Sequence, residues 1–352
     1  MDYKKEIEDL VNLIIKEGAS DLHLSVGRNP VIRASGNLIP LMKKPVLTEI
    51  DMKGFMNIFL SPANKDLLVT AKDVDFSYSL THARFRGNVY YHQGVISIAL
   101  RLIPKVIRTL SELNLPPILE TFTRKQQGFF LCVGPIGQGK TTTLATMVEL
   151  INQTRTEHIL TIEDPIEYLF ESKKSIIDQR EVRLDTPDFP NALVAMFRED
   201  IDVAMVGEMR DNNTIGTAVT AAETGHLIFS TLHTNNAAQT VDRIIDSFQP
   251  SQQDQIRVQL AGSLTGIFSQ RLLPRVSGGL IPAYELLINN TAVSNLIRER
   301  RTHELNTVIE TSSQEGMIDM NRSLAELVRA GEITVESAYM NSLNPKTLER
   351  MI

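Results

Sequence analysis

One short motif constrains this chain more than any other part of its sequence. Residues 134–141 read G-P-I-G-Q-G-K-T, which matches the pattern G-x-x-x-x-G-K-[ST]. An apolar run, residues 128–133, precedes the motif directly, and a helix-like run follows it. Glycines at these spacings let backbone N–H groups turn inward toward an anion, and the following helix points its positive end at the same place. The motif therefore predicts a phosphate-binding loop between a buried strand and a helix.

The loop also supplies side chains that suit a magnesium nucleotide. Lys140 would neutralise charge on the β- and γ-phosphates of ATP, and the Thr141 hydroxyl would ligate Mg²⁺. We predict that nine consecutive residues bind the nucleotide: Gly134, Pro135, Ile136, Gly137, Gln138, Gly139, Lys140, Thr141 and Thr142.

Three more apolar runs follow the motif, at residues 158–162, 203–206 and 227–232, and helix-like stretches separate them. Short runs that are apolar throughout are typical of strands buried on both faces. Their alternation with helices predicts a parallel sheet, and hence an α/β fold for this part of the chain. From about residue 289 onward the pattern predicts helices.

Acidic residues close two of these runs. Glu163 follows residues 158–162, and Glu208 lies two positions after residues 203–206. Ligands of a parallel sheet bind at the carboxyl ends of its strands. Hydrolysis of ATP needs one group that orients and helps to deprotonate water, and an acidic group that holds Mg²⁺. A single such carboxylate more often caps the next helix, but two of them after a phosphate-binding loop favour catalysis.

Two histidines flank the last run. His226 and His233 stand seven residues apart, a spacing that would place them on opposite faces of one strand. They would sense the γ-phosphate of ATP or transmit its loss, or they would be structural imidazoles bonded near a sheet end. The spacing does not decide between these roles.

The N-terminal part of the chain has a different pattern. Apolar residues recur at helical spacing over residues 7–15, and Gly18 ends that helix. Short alternating segments follow, and turn residues separate them, which predicts the strands of a small α+β domain. We place the boundary near residue 107, which gives an N-terminal domain of residues 1–107 and a C-terminal domain of residues 108–352.

Three arginines of the N-terminal domain are candidates for a role in catalysis. Arg84 and Arg86 lie two residues apart and so share one face of a candidate strand, and Arg101 lies on a neighbouring one. The transition state of ATP hydrolysis gathers negative charge that an arginine from elsewhere can stabilise. A surface salt bridge is the more usual explanation of such arginines.

Charge and cysteine content narrow the class of protein. The net charge of -6 disfavours nucleic acid as a partner, and the basic cluster Arg298, Arg300 and Arg301 is more typical of a solvated helix face. Cys132 is the only cysteine, so neither an internal disulfide nor a four-cysteine zinc site can form. No stretch approaches the roughly 18 apolar residues that span a bilayer, and the N-terminus lacks the apolar core of a signal peptide. We therefore expect a cytoplasmic protein.

Several longer stretches add to the loop motif: residues 18–25 (GASDLHLS), 161–167 (TIEDPIE), 206–211 (VGEMRD), 221–226 (AAETGH), 231–234 (TLHT) and 295–299 (NLIRE). Together they resemble the secretion-type ATPases, and within them the type IV pilus retraction ATPases. The resemblance covers essentially the whole chain. It implies an N-terminal PAS-like domain and a C-terminal RecA-like motor domain with a helical C-terminal part. It also implies a homohexameric ring that binds ATP between neighbouring subunits.

The resemblance also implies a task and partners. Such a motor would depolymerise pilin fibres, and so retract pili in twitching motility, on the cytoplasmic side of an inner-membrane platform protein. Position by position, Glu163 resembles the catalytic glutamate of the family, and Glu208 resembles the carboxylate that holds the metal. His226 and His233 resemble its paired histidines. Arg84, Arg86 and Arg101 match arginines that reach toward the nucleotide.

The chain departs from the family pattern at three positions. Ser294 stands where the C-terminal signature usually has arginine, which weakens the expectation for partner coupling through that helix. Ile136 and Gln138 replace commoner small or hydroxylated residues, but these loop positions mainly present backbone amides, so nucleotide binding should be retained.

Two other functions compete with retraction. An assembly or type II secretion ATPase of the same superfamily commonly carries paired CxxC motifs, which a chain with one cysteine lacks. A nucleotide-binding accessory regulator that does not turn ATP over would be expected to have lost a catalytic carboxylate or lysine, and this chain keeps Lys140, Glu163 and Glu208.

Overall fold

The computed structural model describes residues 2–34, 36–80, 83–103 and 106–352. The chain forms two compact units, one of Met1–Val106 with Pro165–Leu169 and one of Ile107–Asp164 with Phe170–Ile352. The sequence predicted a continuous C-terminal domain of residues 108–352, whereas in this division the five residues after Asp164 group with the first unit.

The first unit is built on a six-stranded antiparallel sheet. Its strands are β1 Ala19–Ser25, β2 Val31–Ala34, β3 Asn37–Pro40, β4 Asp73–Leu80, β5 Ala83–His92 and β6 Val95–Ile103. Their spatial order is β3-β2-β1-β6-β5-β4. The helices of this unit are α1 Tyr3–Lys16, α2 Glu49–Phe59 and α3 Pro62–Ala71. Of these elements, the sequence pattern did not indicate α2, α3 or β3.

Helix α1 begins and ends where local chemistry allows. The Asp2 carboxylate accepts a hydrogen bond from the Lys5 backbone N–H and so caps the first turn. Leu10 and Ile14 belong to one apolar stripe and are fully buried. Gly18 follows with a φ of 61°, a left-handed conformation that favours glycine, and the chain turns there into β1.

Alternation along β5 separates a core face from a polar face of the first sheet. Phe85 and Val89 are buried in the core with the helices, whereas Arg84 and Arg86 are only partly buried. The side chains of a strand point alternately to the two faces of its sheet. The two arginines therefore share the polar face, as the sequence predicted.

The second unit is a mixed α/β fold around a seven-stranded sheet. Its strands are β7 Gly128–Val133, β8 His158–Glu163, β9 Ile176–Glu181, β10 Val203–Val206, β11 Leu227–Leu232, β12 Leu264–Pro274 and β13 Leu280–Ile288. The spatial order is β13-β12-β7-β11-β10-β8-β9, and every neighbouring pair is parallel except β12 with β13. The four predicted strands are confirmed, while β9, β12 and β13 were not predicted.

Alternate residues of β7 enter two different cores. Phe129 and Leu131 pack into one apolar cluster, and Phe130 and Cys132 pack into another. Helices therefore cover both faces of the sheet, which is why its strands are apolar throughout. Burial also raises the pKa of the Cys132 thiol to about 12.

Helices fill the rest of the second unit. They are α4 Leu119–Thr123, α5 Lys140–Thr154, α6 Phe189–Met196, α7 Asn212–Glu223, α8 Ala237–Asp246, α9 Pro250–Ser263, α10 Thr291–Arg298, α11 Leu305–Thr311, α12 Met320–Arg329, α13 Val335–Asn341 and α14 Pro345–Glu349. Short 3-10 turns at Thr302–Glu304 and Ser313–Glu315 flank α11. The helical C-terminal part predicted from about residue 289 is confirmed. Among the helices of the described residues, none is both long and apolar enough to cross a bilayer.

Candidate functional site

The predicted phosphate-binding loop lies between β7 and α5. Gly134, Gly137 and Gly139 have φ values of 148°, 78° and 76°, which side chains other than hydrogen rarely tolerate. A Cβ at Gly134 would lie 2.4 Å from the backbone oxygen of Gln270 on β12. Gly139 precedes the first turn of α5 and provides no side-chain cap for its N–H groups. A helix start with this geometry suits a phosphate.

Lys140 lies folded over the loop. Its side chain is buried, and Nζ lies 2.8 Å from the carbonyl oxygen of Gly134 and 2.9 Å from that of Pro135. The same ammonium lies 3.2 Å from Nδ1 of His233, the residue that follows β11. The lysine charge is therefore held at the mouth of the loop, where phosphate oxygens would enter.

His233 connects the loop to the neighbouring strand end. Because the Lys140 ammonium can only donate, Nδ1 of the ring accepts, and Nε2 carries the proton. Nε2 lies 3.4 Å from Oε2 of Glu208, the carboxylate that follows β10. The Arg210 guanidinium forms a close ion pair with Glu208, and that pairing raises the pKa of Arg210. Lys140, His233 and Glu208 thus meet at one edge of the sheet, where the neighbouring strands β7, β11 and β10 end.

Glu163 ends β8 at the same edge. It is only 2% exposed, and its Oε1 accepts hydrogen bonds from Thr161 Oγ1 at 2.7 Å and from Gln179 Nε2 at 3.3 Å. Gly207, the residue before Glu208, lies close to Glu163, because a Cβ at Gly207 would be 3.9 Å from Glu163 Cγ. The two carboxylates predicted for catalysis therefore belong to adjacent strand ends.

His226 lies elsewhere. It precedes β11, where its Nδ1 is 3.0 Å from the carbonyl oxygen of Ala221 and its ring stands edge-on to Phe197 at 5.4 Å. The two histidines were predicted to lie on opposite faces of one strand, and that prediction is wrong because both lie outside β11, at its two ends. A strand rises by about 3.3 Å per residue, so the seven steps between them span roughly 23 Å. Within one chain, the structure brings His233 to the loop and does not bring His226.

The three candidate arginines all have polar partners within the first unit. Arg101 Nε donates to Asp21 Oδ1 at 2.9 Å, Arg86 lies 3.7 Å from Glu167, and Arg84 donates to Ser79 Oγ at 3.2 Å. Strand register places Arg86 directly opposite Arg101. Burial raises the pKa of Asp21, but hydrogen bonds from Ser20 and Arg101 outweigh it and lower that pKa. The contacts of Arg101 and Arg86 are salt bridges, whereas Arg84 donates to a hydroxyl, and a catalytic role for the three arginines stays a prediction.

The basic cluster near the C-terminus is exposed and largely paired. Arg300 forms an ion pair with Asp254, Arg301 forms ion pairs with Glu299 and Glu304, and Arg298 donates to Asn295. The surface is solvated, as the sequence indicated, but only Arg298 belongs to a helix, because α10 ends at that residue.

Sequence reasoning missed the part of the site that β12 contributes. Gln270 and Arg271 lie in the middle of this strand and are almost fully buried. Thr143 donates to Gln270, and Arg271 donates to the backbone and side-chain oxygens of Asn235, in the loop that follows His233. The feature that could have indicated this strand is a group of three polar residues, Ser269, Gln270 and Arg271, inside an apolar stretch. A search for unbroken apolar runs does not detect such a stretch.

A cavity of about 340 Å³ lies beside the loop in the second unit. Its lining combines apolar residues, among them Leu113, Leu115, Leu272 and Pro282, with the polar residues Arg108, Glu112, Asn114 and Gln270, and it includes Gly139 and Thr143 at the start of α5. Such a lining suits a flat ring system that carries polar atoms at its edge.

A parallel sheet with a glycine loop, a folded-over lysine and two carboxylates at adjacent strand ends defines a P-loop nucleotide-binding protein. A family model described as "Type II/IV secretion system protein" matches residues 92–280, and the chain belongs to this family.

Similar proteins span nearly the whole chain. The twitching motility protein of Neisseria gonorrhoeae is 44% identical over 324 residues, 91% of this chain and 86% of that protein. The type IV pilus retraction ATPase PilT of Pseudomonas aeruginosa is 41% identical over 347 residues, 97% of this chain and 99% of that protein. A crystal structure of the pilus retraction motor PilT with bound ADP has a TM-score of 0.91 and 45% identity, and covers 97% of this chain and 98% of that one.

Proposed function

We propose that this chain is an ATPase that uses ATP hydrolysis to retract type IV pili. The observation that carries the proposal is the link from Lys140 through His233 to Glu208, beside the buried Glu163. Relatives of the same length, with names that state pilus retraction or twitching motility, support the task.

The residues of the site divide the chemistry between them. Bound magnesium ATP supplies the γ-phosphoryl group that water attacks. The loop amides and Lys140 would hold the phosphates, and Thr141 and Glu208 would hold Mg²⁺. Glu163 orients the water and accepts its proton, because a buried carboxylate at hydrogen-bonding distance from a reacting water can act as a general base. His233 keeps Lys140 and Glu208 at a fixed separation.

The donor set fits this cofactor. A hydroxyl and a carboxylate are the oxygen ligands that Mg²⁺ prefers beside phosphate. The cavity lined by Leu113, Leu272 and Pro282 receives the adenine ring, since it offers both apolar and polar groups and lies beside the residues that start α5.

The remaining features of the motor follow from the resemblance. The first unit is a PAS-like domain and the second a RecA-like domain. Six copies form a ring, with ATP between neighbours and Arg84, Arg86 and Arg101 directed toward it. The ring docks on the cytoplasmic side of a platform protein in the inner membrane and acts through it on pilin.

The two competing functions are less well supported. An assembly ATPase with a four-cysteine zinc site does not fit a chain whose only cysteine, Cys132, is buried in a core. An accessory regulator without turnover does not fit a site in which Lys140, Glu163 and Glu208 are all present at one sheet edge.

Deletion of the gene and a count of surface pili test the proposal. We expect excess pili and lost twitching motility, because fibres form but are not withdrawn. The wild-type gene should restore both, and Lys140→Ala should restore neither, since the ammonium that holds the phosphates is gone. Absent pili in the deletion strain would identify an assembly motor instead. Full restoration by Lys140→Ala would indicate an accessory role without turnover.

A further inference from the structure

The side chain of Gln138 ties the phosphate-binding loop to strand β12. Strand β12 pairs with β7 as far as Ser269, opposite Val133, and then runs on beside the loop. The Leu272 backbone N–H therefore lies beyond the end of β7, and it donates to Oε1 of Gln138 at 2.6 Å. Gln138 thus replaces the strand partner that β7 no longer provides.

The side-chain amide of Gln270 also connects β12 to the loop, and here the strand provides the side chain. Gln270 is 2% exposed, and its Nε2 donates to the backbone oxygen of Gln138 at 2.7 Å. Its Oε1 accepts from Thr143 Oγ1 in α5 at 2.7 Å. The Gln270 side chain therefore joins the loop to the first turn of the helix. A Cβ at Gly139 would lie 3.0 Å from the same Nε2, so the contact is close.

We propose that Gln138 and Gln270 are positioning residues that hold the loop in its phosphate-binding shape before nucleotide arrives. The proposal rests on the nucleotide binding proposed above. Fixing the backbone of one residue costs about 1–2 kcal/mol of conformational entropy, so a loop that is already ordered binds its ligand more tightly. The consensus pattern leaves position 138 open, and in this chain that position anchors the loop.

The substitution Gln138→Met tests the proposal because it keeps the length of the side chain and removes the acceptor. Loss of an interaction made equally before and during reaction raises KM and leaves kcat unchanged. We expect Kd for magnesium ADP and KM for ATP to rise about threefold to tenfold, the equivalent of one hydrogen bond. The matched control is Gln153→Met near the end of α5, where the side chain donates to Glu149 in the same helix. For Gln153→Met, Kd for magnesium ADP and KM for ATP should not change. An unchanged Kd in Gln138→Met, or a fall in kcat as large as that in kcat/KM, would overturn the assignment.

Amide hydrogen exchange of the nucleotide-free protein provides a readout that does not depend on activity. The Leu272 N–H should exchange about tenfold faster in Gln138→Met than in the wild type, since one lost hydrogen bond corresponds to roughly that factor. Equal exchange in both proteins would show that Gln138 does not anchor the strand. If the wild type fails to bind magnesium ADP while the exchange difference is present, the proposed function fails and the anchoring role stands.

Discussion

Replacing Glu163 by glutamine should stop ATP turnover while leaving the site assembled. Glu163 Oε1 accepts hydrogen bonds from Thr161 and Gln179. A glutamine can turn its own Oε1 toward these two donors, so both bonds survive the change. The substitution removes the negative charge and the basicity of the carboxylate. Fold and nucleotide binding should therefore be retained.

The expected fall in kcat follows from the role of general base proposed for Glu163. A positioned general base contributes about 10²- to 10⁴-fold to a rate, which corresponds to roughly 3–5 kcal/mol in the barrier. We expect kcat to fall by that factor. Kd for ATP should stay within about threefold, because both hydrogen bonds of the carboxyl oxygen persist.

Steady-state ATPase rates and fluorescence titration with an ATP analogue measure the two quantities. Glu181→Gln is the matched control, since Glu181 is also buried and lies opposite Glu163 in the register of β8 with β9. Its kcat should stay within about twofold of the wild type, because the residue is outside the proposed site. A Glu163→Gln protein that keeps more than a tenth of the wild-type kcat would falsify the base assignment.

Two further predictions concern the loop and the core beside it. Gly139→Ala places a Cβ 3.0 Å from Gln270 and Leu272, whereas Gly137→Ala has a similar positive φ with no atom within 4 Å. Both substitutions carry the cost of about 1–2 kcal/mol for left-handed backbone, so they differ only in the contact with Gln270 and Leu272. In nucleotide titrations Gly139→Ala should therefore lose more affinity than Gly137→Ala. Equal losses would contradict the role of this contact. Burial raises the pKa of Glu285 to about 7, while an unfolded glutamate has a pKa of about 4.3. At a pH between these two pKa values, the folded protein keeps a proton on Glu285 that the unfolded protein has lost. The free energy of unfolding therefore falls as pH rises through that range. Glu285→Gln keeps an acceptor for the Ala237 N–H, so its Tm should match the wild type at pH 5 and exceed it at pH 8; a constant difference would count against the assignment.

The sequence predicted the strands of the second unit whose two faces are both buried and whose residues are mostly apolar. Strands β7, β8, β10 and β11 are buried on both faces, so their unbroken apolar runs were sufficient. Strand β12 was missed because Ser269, Gln270 and Arg271 interrupt its apolar pattern. Those residues are polar because the strand contacts the loop on one side and Asn235 on the other. These polar contacts thus concealed the strand from a search based on hydrophobicity.

The candidate site was predictable in its residue types and less so in its geometry. A motif and two closing carboxylates indicated Lys140, Glu163 and Glu208, because parallel strands end at one edge of a sheet. Which histidine joins them depends on where β11 begins and ends, and sequence spacing does not fix strand ends to within a residue. The five residues after Asp164 that belong to the first unit gave no signal, because the association depends on tertiary contacts.

The state of Cys132 makes the chain convenient for spectroscopic labelling. Thiol-reactive dyes attack the thiolate, and a buried thiol with a pKa of about 12 offers almost none at neutral pH. A cysteine introduced at an exposed position such as Met340 would therefore be the one site that a maleimide dye modifies. Fluorescence from this single dye can then follow the protein during turnover without first removing its native cysteine.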